Sequence, residues 1–204
     1  MTPYVLGICA ADGSTHERTT IYGEKRYSCD LEMAEEQIIS DISKLFHKDV
    51  FYRERIIRDK KRRFWKVHFS QEEMVLYGSY LMPGRPGIYD LYKSFDDDGQ
   101  IDFVRGLFDG DGTICQRKNG TSVIGFSINS ACDGIRKILE DFCEKYGFSL
   151  SKYFDKRGSG SWFYSINGKR DKVEFAKLIY KDCAICLHRK RDKFTELYGS
   201  ELIA

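Results

Sequence analysis

The chain has 204 residues, 42% of them hydrophobic, and 33 basic against 31 acidic side chains leave a formal net charge of +2. That length suits one large domain or two of roughly 100 residues each, with enough apolar content for a real core. No apolar run approaches the ~20 residues of a membrane span, no basic n-region or cleavage pattern marks a signal peptide, and seven cysteines without framework spacing indicate a reducing, intracellular compartment rather than a disulfide scaffold.

The first predicted element is a helix in YVLGICAADG, residues 4–13. Thr2 suits its N-cap, and Pro3 suits the first helical position, where a missing N–H costs nothing. Gly13 is expected at the C-terminus in the left-handed conformation, which leaves Asp12 in the last turn. A carboxylate there meets the negative end of the macrodipole, a penalty of roughly 0.3–1 kcal/mol. Residues 14–28 form a polar, hairpin-like stretch of unassigned register carrying Arg18, Lys25 and Arg26. Asp30 suits the N-cap of a second helix, with Ile38, Ile39 and Ile42 at core spacing. Strands are expected around 50–55 and 64–69, where Trp65, Val67 and Phe69 alternate with Lys66 and His68. From Lys48 to Lys66, nine basic residues face three acids, so the near-neutral total conceals an electropositive segment suited to phosphates. A further helix follows, including Ile88 to Lys93.

The second half repeats this order. FVRGLFDGDG, residues 103–112, matches the first segment, with Asp96, Asp97 and Asp98 as cap and first-turn acids and Asp111 in the last turn before Gly112. Asp12 and Asp111 lie 99 positions apart (111 minus 12). Asn119-Gly120 is a two-residue hairpin signal. With that turn, Cys115, Ile124, Phe126 and Ile128 share one face, and Gln116, Lys118, Thr121, Ser127 and Asn129 share the other with Ile114 and Val123. Ser130 suits a helix N-cap 100 positions after Asp30, and Ile138, Leu139 and Phe142 follow at the same offset from the first-half isoleucines. Strands are expected at 148–154, which carries Lys152, and at 161–166. A last helix runs through Cys183 and Cys186 to the basic run His188 to Arg191. Aligning Ile185 to Lys190 on Ile88 to Lys93 makes Lys93 and Lys190 coincide. Cys183, Cys186 and His188 lack the second paired cluster that a structural zinc site needs.

Within each motif, small residues recur four apart: Gly7 and Ala11, then Gly106 and Gly110. They share a helix face and permit close backbone approach. Packing the two helices through these faces brings Asp12 and Asp111 together, where two carboxylates require a cation or a shared proton. Breaking the dipole rule twice at matched positions points to a cation or a reacting group.

Both motifs resemble those of the LAGLIDADG homing endonucleases in their single-chain, two-motif form, and the resemblance spans essentially the whole chain. The first motif departs from the pattern with Ala10 where an earlier acid often stands; the second keeps Asp109. The resemblance implies an α+β fold of two pseudo-symmetric αββαββα halves, 1–98 and 99–204, each with a four-stranded antiparallel DNA-binding sheet and joined through the packed motif helices. It implies a monomeric, site-specific endonuclease that hydrolyses one phosphodiester per strand across the minor groove of a non-palindromic duplex, in the service of intron homing. It further implies that Asp12 and Asp111 hold metal together with the carbonyls of Ala11 and Gly110. Mg²⁺ is the expected cofactor, Mn²⁺ a substitute, and Ca²⁺ an ion that binds without supporting cleavage. Lys93 and Lys190 are the expected catalytic lysines. The expected DNA-binding residues are Arg18, Lys25, Arg26, Arg53, Arg55, Lys66 and His68 in the first half, and Gln116, Lys118, Thr121, Ser127, Asn129 and Lys152 in the second. A bacterial, phage-infected or organellar setting accords with this reading. The alternatives are an intron RNA splicing cofactor of the same fold and a non-cleaving DNA-binding regulator.

Overall fold

The computed structural model of the protein describes residues 1–158 and 160–199. The first half comprises α1 (Pro3–Asp12), β1 (Gly13–Thr19), β2 (Lys25–Met33), α2 (Glu36–Phe46), β3 (Phe51–Ile57), β4 (Lys60–Phe69) and the short helices α3 (Gln71–Met74) and α4 (Ile88–Lys93). The second comprises α5 (Asp97–Asp111), β5 (Gly112–Gln116), β6 (Ser122–Asn129), α6 (Asp133–Lys145), β7 (Leu150–Asp155), β8 (Ser161–Ile166), α7 (Lys169–Tyr180) and α8 (His188–Tyr198). Two antiparallel sheets result, ordered β1-β2-β4-β3 and β5-β6-β8-β7. The expected α+β fold of two repeated halves is present, and each half carries one more helix than the expected order.

The motif helices start as their sequences dictate. The Thr2 hydroxyl accepts the Val5 N–H at 3.3 Å, and the Asp96 carboxylate accepts the Gly99 N–H at 2.9 Å. Tyr4 to Ala10 are all buried, so α1 is apolar around its circumference and forms the centre of the molecule. It packs on α5 through the small residues. A Cβ on Gly7 would lie 2.1 Å from the Phe103 carbonyl oxygen, and one on Gly106 would lie 2.1 Å from that of Tyr4. Only hydrogen fits at these two crossings.

The C-termini differ from expectation. Gly13 and Gly112 have φ of −73° and −69°, which is extended rather than left-handed. Each helix runs directly into its first strand. Glycine is retained for space: an added Cβ would meet the Cys9 and Phe108 carbonyl oxygens at 2.4 and 2.3 Å. Asp30 and Ser130 are not N-caps either. Asp30 lies within β2, and α2 and α6 start later, after Glu35 and Cys132. Asp30 instead pairs across the sheet with His68.

The β5–β6 turn is longer by one residue than Asn119-Gly120 suggested. Gly120 N–H donates to the Arg117 carbonyl at 2.9 Å, Arg117 N–H donates to Thr121 at 2.8 Å, and Gly120 takes φ +82°. This three-residue loop pairs Gln116 with Ser122 and Cys115 with Val123. A one-residue slip flips a whole strand. Ile114 and Gln116 therefore turn toward the helices, while Thr113 and Cys115 turn outward. On β6 the expected faces hold: Ile124, Phe126 and Ile128 are buried, and Ser127 and Asn129 are exposed. The β1–β2 hairpin is built in the same way around Thr20 and Gly23, with Arg18 opposite Arg26.

Candidate nucleic-acid cleavage site

Asp12 and Asp111 end the two crossed helices, and the crossing brings them together. A Cβ on Gly110 would lie 2.3 Å from that of Ala11 and 3.1 Å from Asp12 Oδ2. Burial and then the Asp111 charge push the Asp12 carboxyl up to about 6. Burial also raises Asp111, opposed by the nearby cations Lys190 and Arg85. The pair is thus a concentration of negative charge held against its own repulsion, with carboxylate and backbone carbonyl oxygens beside it. Among the described residues, no group of three or more His, Cys, Asp and Glu side chains is arranged to hold a metal. Two carboxylates with backbone carbonyls, leaving positions for water and phosphate oxygen, form an all-oxygen set suited to a hard divalent cation.

Lys190 lies in the first turn of α8 and is only 3% exposed. Its Nζ donates to the Gly110 carbonyl at 3.1 Å and to the Phe108 carbonyl, at the negative end of α5. Burial pushes it down to about 8, and Asp109 is the largest influence opposing that shift. Asp109 is fully buried and accepts hydrogen bonds from Tyr4 Oη at 2.8 Å, Tyr180 Oη at 2.5 Å and Leu187 N–H at 2.7 Å. It ties α1, α7 and the start of α8 to α5, and so sets where Lys190 begins. The segment 181–187, expected to be helical, is irregular; it carries the free cysteines Cys183 and Cys186.

The first-half counterpart of Lys190 is not Lys93. Lys93 is half-exposed on α4 and faces Asp141 at 3.6 Å. Arg85 takes that place: its Nε donates to the Ala10 carbonyl at 2.9 Å, and its Nη1 donates to Leu81 and Met82 at 2.8 and 3.2 Å. Its φ of +53° shows a backbone held in the left-handed region to make this reach. Nothing in the repeat offset marks Arg85, because the connection that carries it does not match the corresponding second-half segment in length.

Asp12 opens onto the outer face of the first sheet. Cross-strand pairing puts Arg18, Arg26, Arg53, Arg55, Lys66 and His68 together on the outer face of the first sheet. A groove of about 760 Å³ runs across this face to Asp12. Asp30 and Glu32 lie among the cations: Glu32 pairs with Arg53 at 2.5 Å and also with Arg55, and Asp30 holds His68 at 2.8 Å and Lys66 at 3.3 Å. Ser14, His16 and Arg62 share the face and were missed, the first two because the β1 register was not legible.

Three expected DNA-facing residues lie elsewhere. Lys25 is on the helix-side parity of β2 and pairs with Glu17 at 3.1 Å. Lys152 lies opposite Tyr164 on the helix side of β7 and pairs with Glu140 of α6 at 2.9 Å. Gln116 follows Ile114 to the helix side, and its amide donates to the Gly120 carbonyl at 3.1 Å. Lys118 and Thr121 sit at the hairpin loop, and Ser127 and Asn129 face outward as expected.

Residues 98–180 match the family model for a LAGLIDADG-like domain. That match covers the second half, so a LAGLIDADG-like domain is shown there. Most of the chain, both halves included, shares the fold of solved homing endonucleases. I-WcaI, a homing endonuclease bound to its DNA recognition sequence, superposes with a TM-score of 0.64 at 17% identity, over 94% of this chain and 85% of that one. I-DmoI in complex with DNA and Ca gives 0.59 at 14% identity, over 88% of each chain. The meganuclease I-SmaMI bound to uncleavable DNA gives 0.58 at 11% identity, over 97% and 87%. No curated protein matches this chain by sequence.

Proposed function

We propose that the chain is a site-specific double-strand DNA endonuclease that uses a divalent cation and acts as a monomer. The observation that carries this reading is the placement of Asp12 and Asp111, one from each half, at the adjoining ends of two helices between two outward-facing sheets. Stability alone disfavours both carboxylates there. The DNA complexes of I-DmoI with Ca and with Mn, and of a variant in the presence of Mg, support the choice of partner and of cofactor class.

A bound divalent cation, best Mg²⁺ for this oxygen donor set, would supply charge stabilisation to the phosphate and a more acidic water. The chain's own groups do the rest. Asp12 and Asp111, with the Ala11 and Gly110 carbonyls, would hold the cation at the adjoining helix ends. Lys190 and Arg85 fix the carbonyls of the last turns and set positive charge behind the carboxylates. The first sheet binds the duplex through its arginines and Lys66, which exchange Asp30 and Glu32 for phosphates and base edges.

Asp12→Asn and Asp111→Asn test this reading. Each should keep its melting temperature and its retention of target duplex in a gel shift, and each should lose cleavage by at least 100-fold, the scale of several kcal/mol of lost transition-state stabilisation. Cleavage by both variants at the wild-type rate would refute the assignment. Binding to intron RNA without cleavage of any duplex by the wild type would favour the splicing cofactor.

A further inference from the structure

The two outer sheet faces differ in chemistry. Among the described residues, strands β5 to β8 place no Lys or Arg on the outward parity, whereas the first sheet places there Arg18, Arg26, Arg53, Arg55, Arg62 and Lys66 among others. The first face also holds Phe51 and Phe64, set among those cations with Arg55 over the Phe64 ring, whereas the second face carries an aromatic platform on strands without outward Lys or Arg. Phe163 lies over Gly125, where an added Cβ would meet its ring at 2.9 Å. The Tyr153 ring packs beside it, centroid to centroid 5.4 Å, and Tyr153 is 59% exposed. The exposed Cys115, paired across the strands with the buried Val123, extends this surface toward β5. The one acid on the face, Asp155, is satisfied by Arg157 at 2.6 Å.

This surface is continuous with the cleavage site, because β5 begins at Gly112, the residue after Asp111. A duplex centred on the two carboxylates extends over both sheets. In the major groove, the thymine C5-methyl is the one apolar feature of a base edge, and apolar side chains read it by contact. Charged side chains read guanine and phosphate, and the first sheet is supplied with those. Resting on the endonuclease reading, we infer that the half-site under the second sheet is read through thymine methyl groups by Tyr153, Phe163 and Cys115. The two halves then divide the work: the first supplies most of the electrostatic affinity, and the second discriminates by shape and apolar contact.

Uracil substitution tests the inference, since it removes only the methyl. A tight-binding duplex is selected from a randomised library, its orientation is fixed by tethered cleavage of the DNA from Asn119→Cys in the exposed β5–β6 loop, with Cys115→Ser in that orientation probe alone, and thymines are replaced by deoxyuridine in one half-site at a time. Binding is measured with Ca²⁺. Each contacted methyl lost under the second sheet should weaken binding about fourfold, the equivalent of one buried methylene. Replacements under the first sheet should weaken it at fewer positions, those that Phe51 or Phe64 can reach. Tyr153→Ser, an exposed and structurally tolerant change, should abolish the uracil effect at one or more positions. Duplex binding that is indifferent to uracil in the second half-site, or a second half-site selected without thymine, would overturn the inference while leaving the endonuclease reading in place. Failure to select any duplex would overturn both.

Discussion

Lys190 shows how the site is held together at the level of one side chain. It is buried against the last turn of α5, and burial pushes it down to about 8, below the ~10.4 of a lysine in water. The unfolded chain therefore binds more protons than the folded one between those two values, and stability rises with pH across that window. The stability of the wild type relative to Lys190→Met should climb from pH 8 to pH 10 in denaturant titrations. A flat difference would mean that Nζ is hydrated. Asp109 supports the same lysine from behind. Asp109→Ala strands the hydroxyls of Tyr4 and Tyr180 and the N–H of Leu187, and should cost about 3 kcal/mol in the same titrations. A loss below about 1 kcal/mol would show that water replaces the carboxylate.

Among the elements, the crossing of α1 and α5 is the one on which everything else depends. Gly7 and Gly106 each face a carbonyl oxygen that an added Cβ would approach to 2.1 Å. Gly106→Ala must push the helices apart, at roughly 1–3 kcal/mol for an overpacked core, and must also move Asp12 away from Asp111. The expected result is a lower melting temperature together with reduced cleavage; wild-type stability would show that the helices slide without loss. This crossing was legible from the sequence, because small residues four apart on two matched helices have few other uses. The β5 register was not, because an Asn-Gly pair serves a two-residue turn and a three-residue loop equally well, and one residue decides which face Gln116 takes. Lys152 and Lys25 were misplaced by the same kind of parity error in short polar strands, where alternation gives no apolar signal. Arg85 was invisible for another reason: it works through a reach from an irregular connection, and repeat alignment pointed to Lys93.

For the whole molecule, both carboxylates and both sheets come from one chain, and the two sheets are chemically unlike. A second copy would add nothing to the site, so sedimentation of the DNA complex should give one protein per duplex, and the target should lack two-fold symmetry. A dimer on a palindrome would contradict the division of roles between the halves. Association should depend steeply on salt through the first sheet, with the slope reduced by about one unit for each phosphate-contacting cation removed there. The central claim is that the paired helix ends form a single double-strand cleavage site, and it is tested most directly by sequencing both product ends after Mg²⁺-dependent incubation with a randomised duplex library. The account predicts hydrolysis of both strands at one fixed, short stagger within an asymmetric consensus. Intact duplexes, or breaks scattered without a consensus, would contradict it.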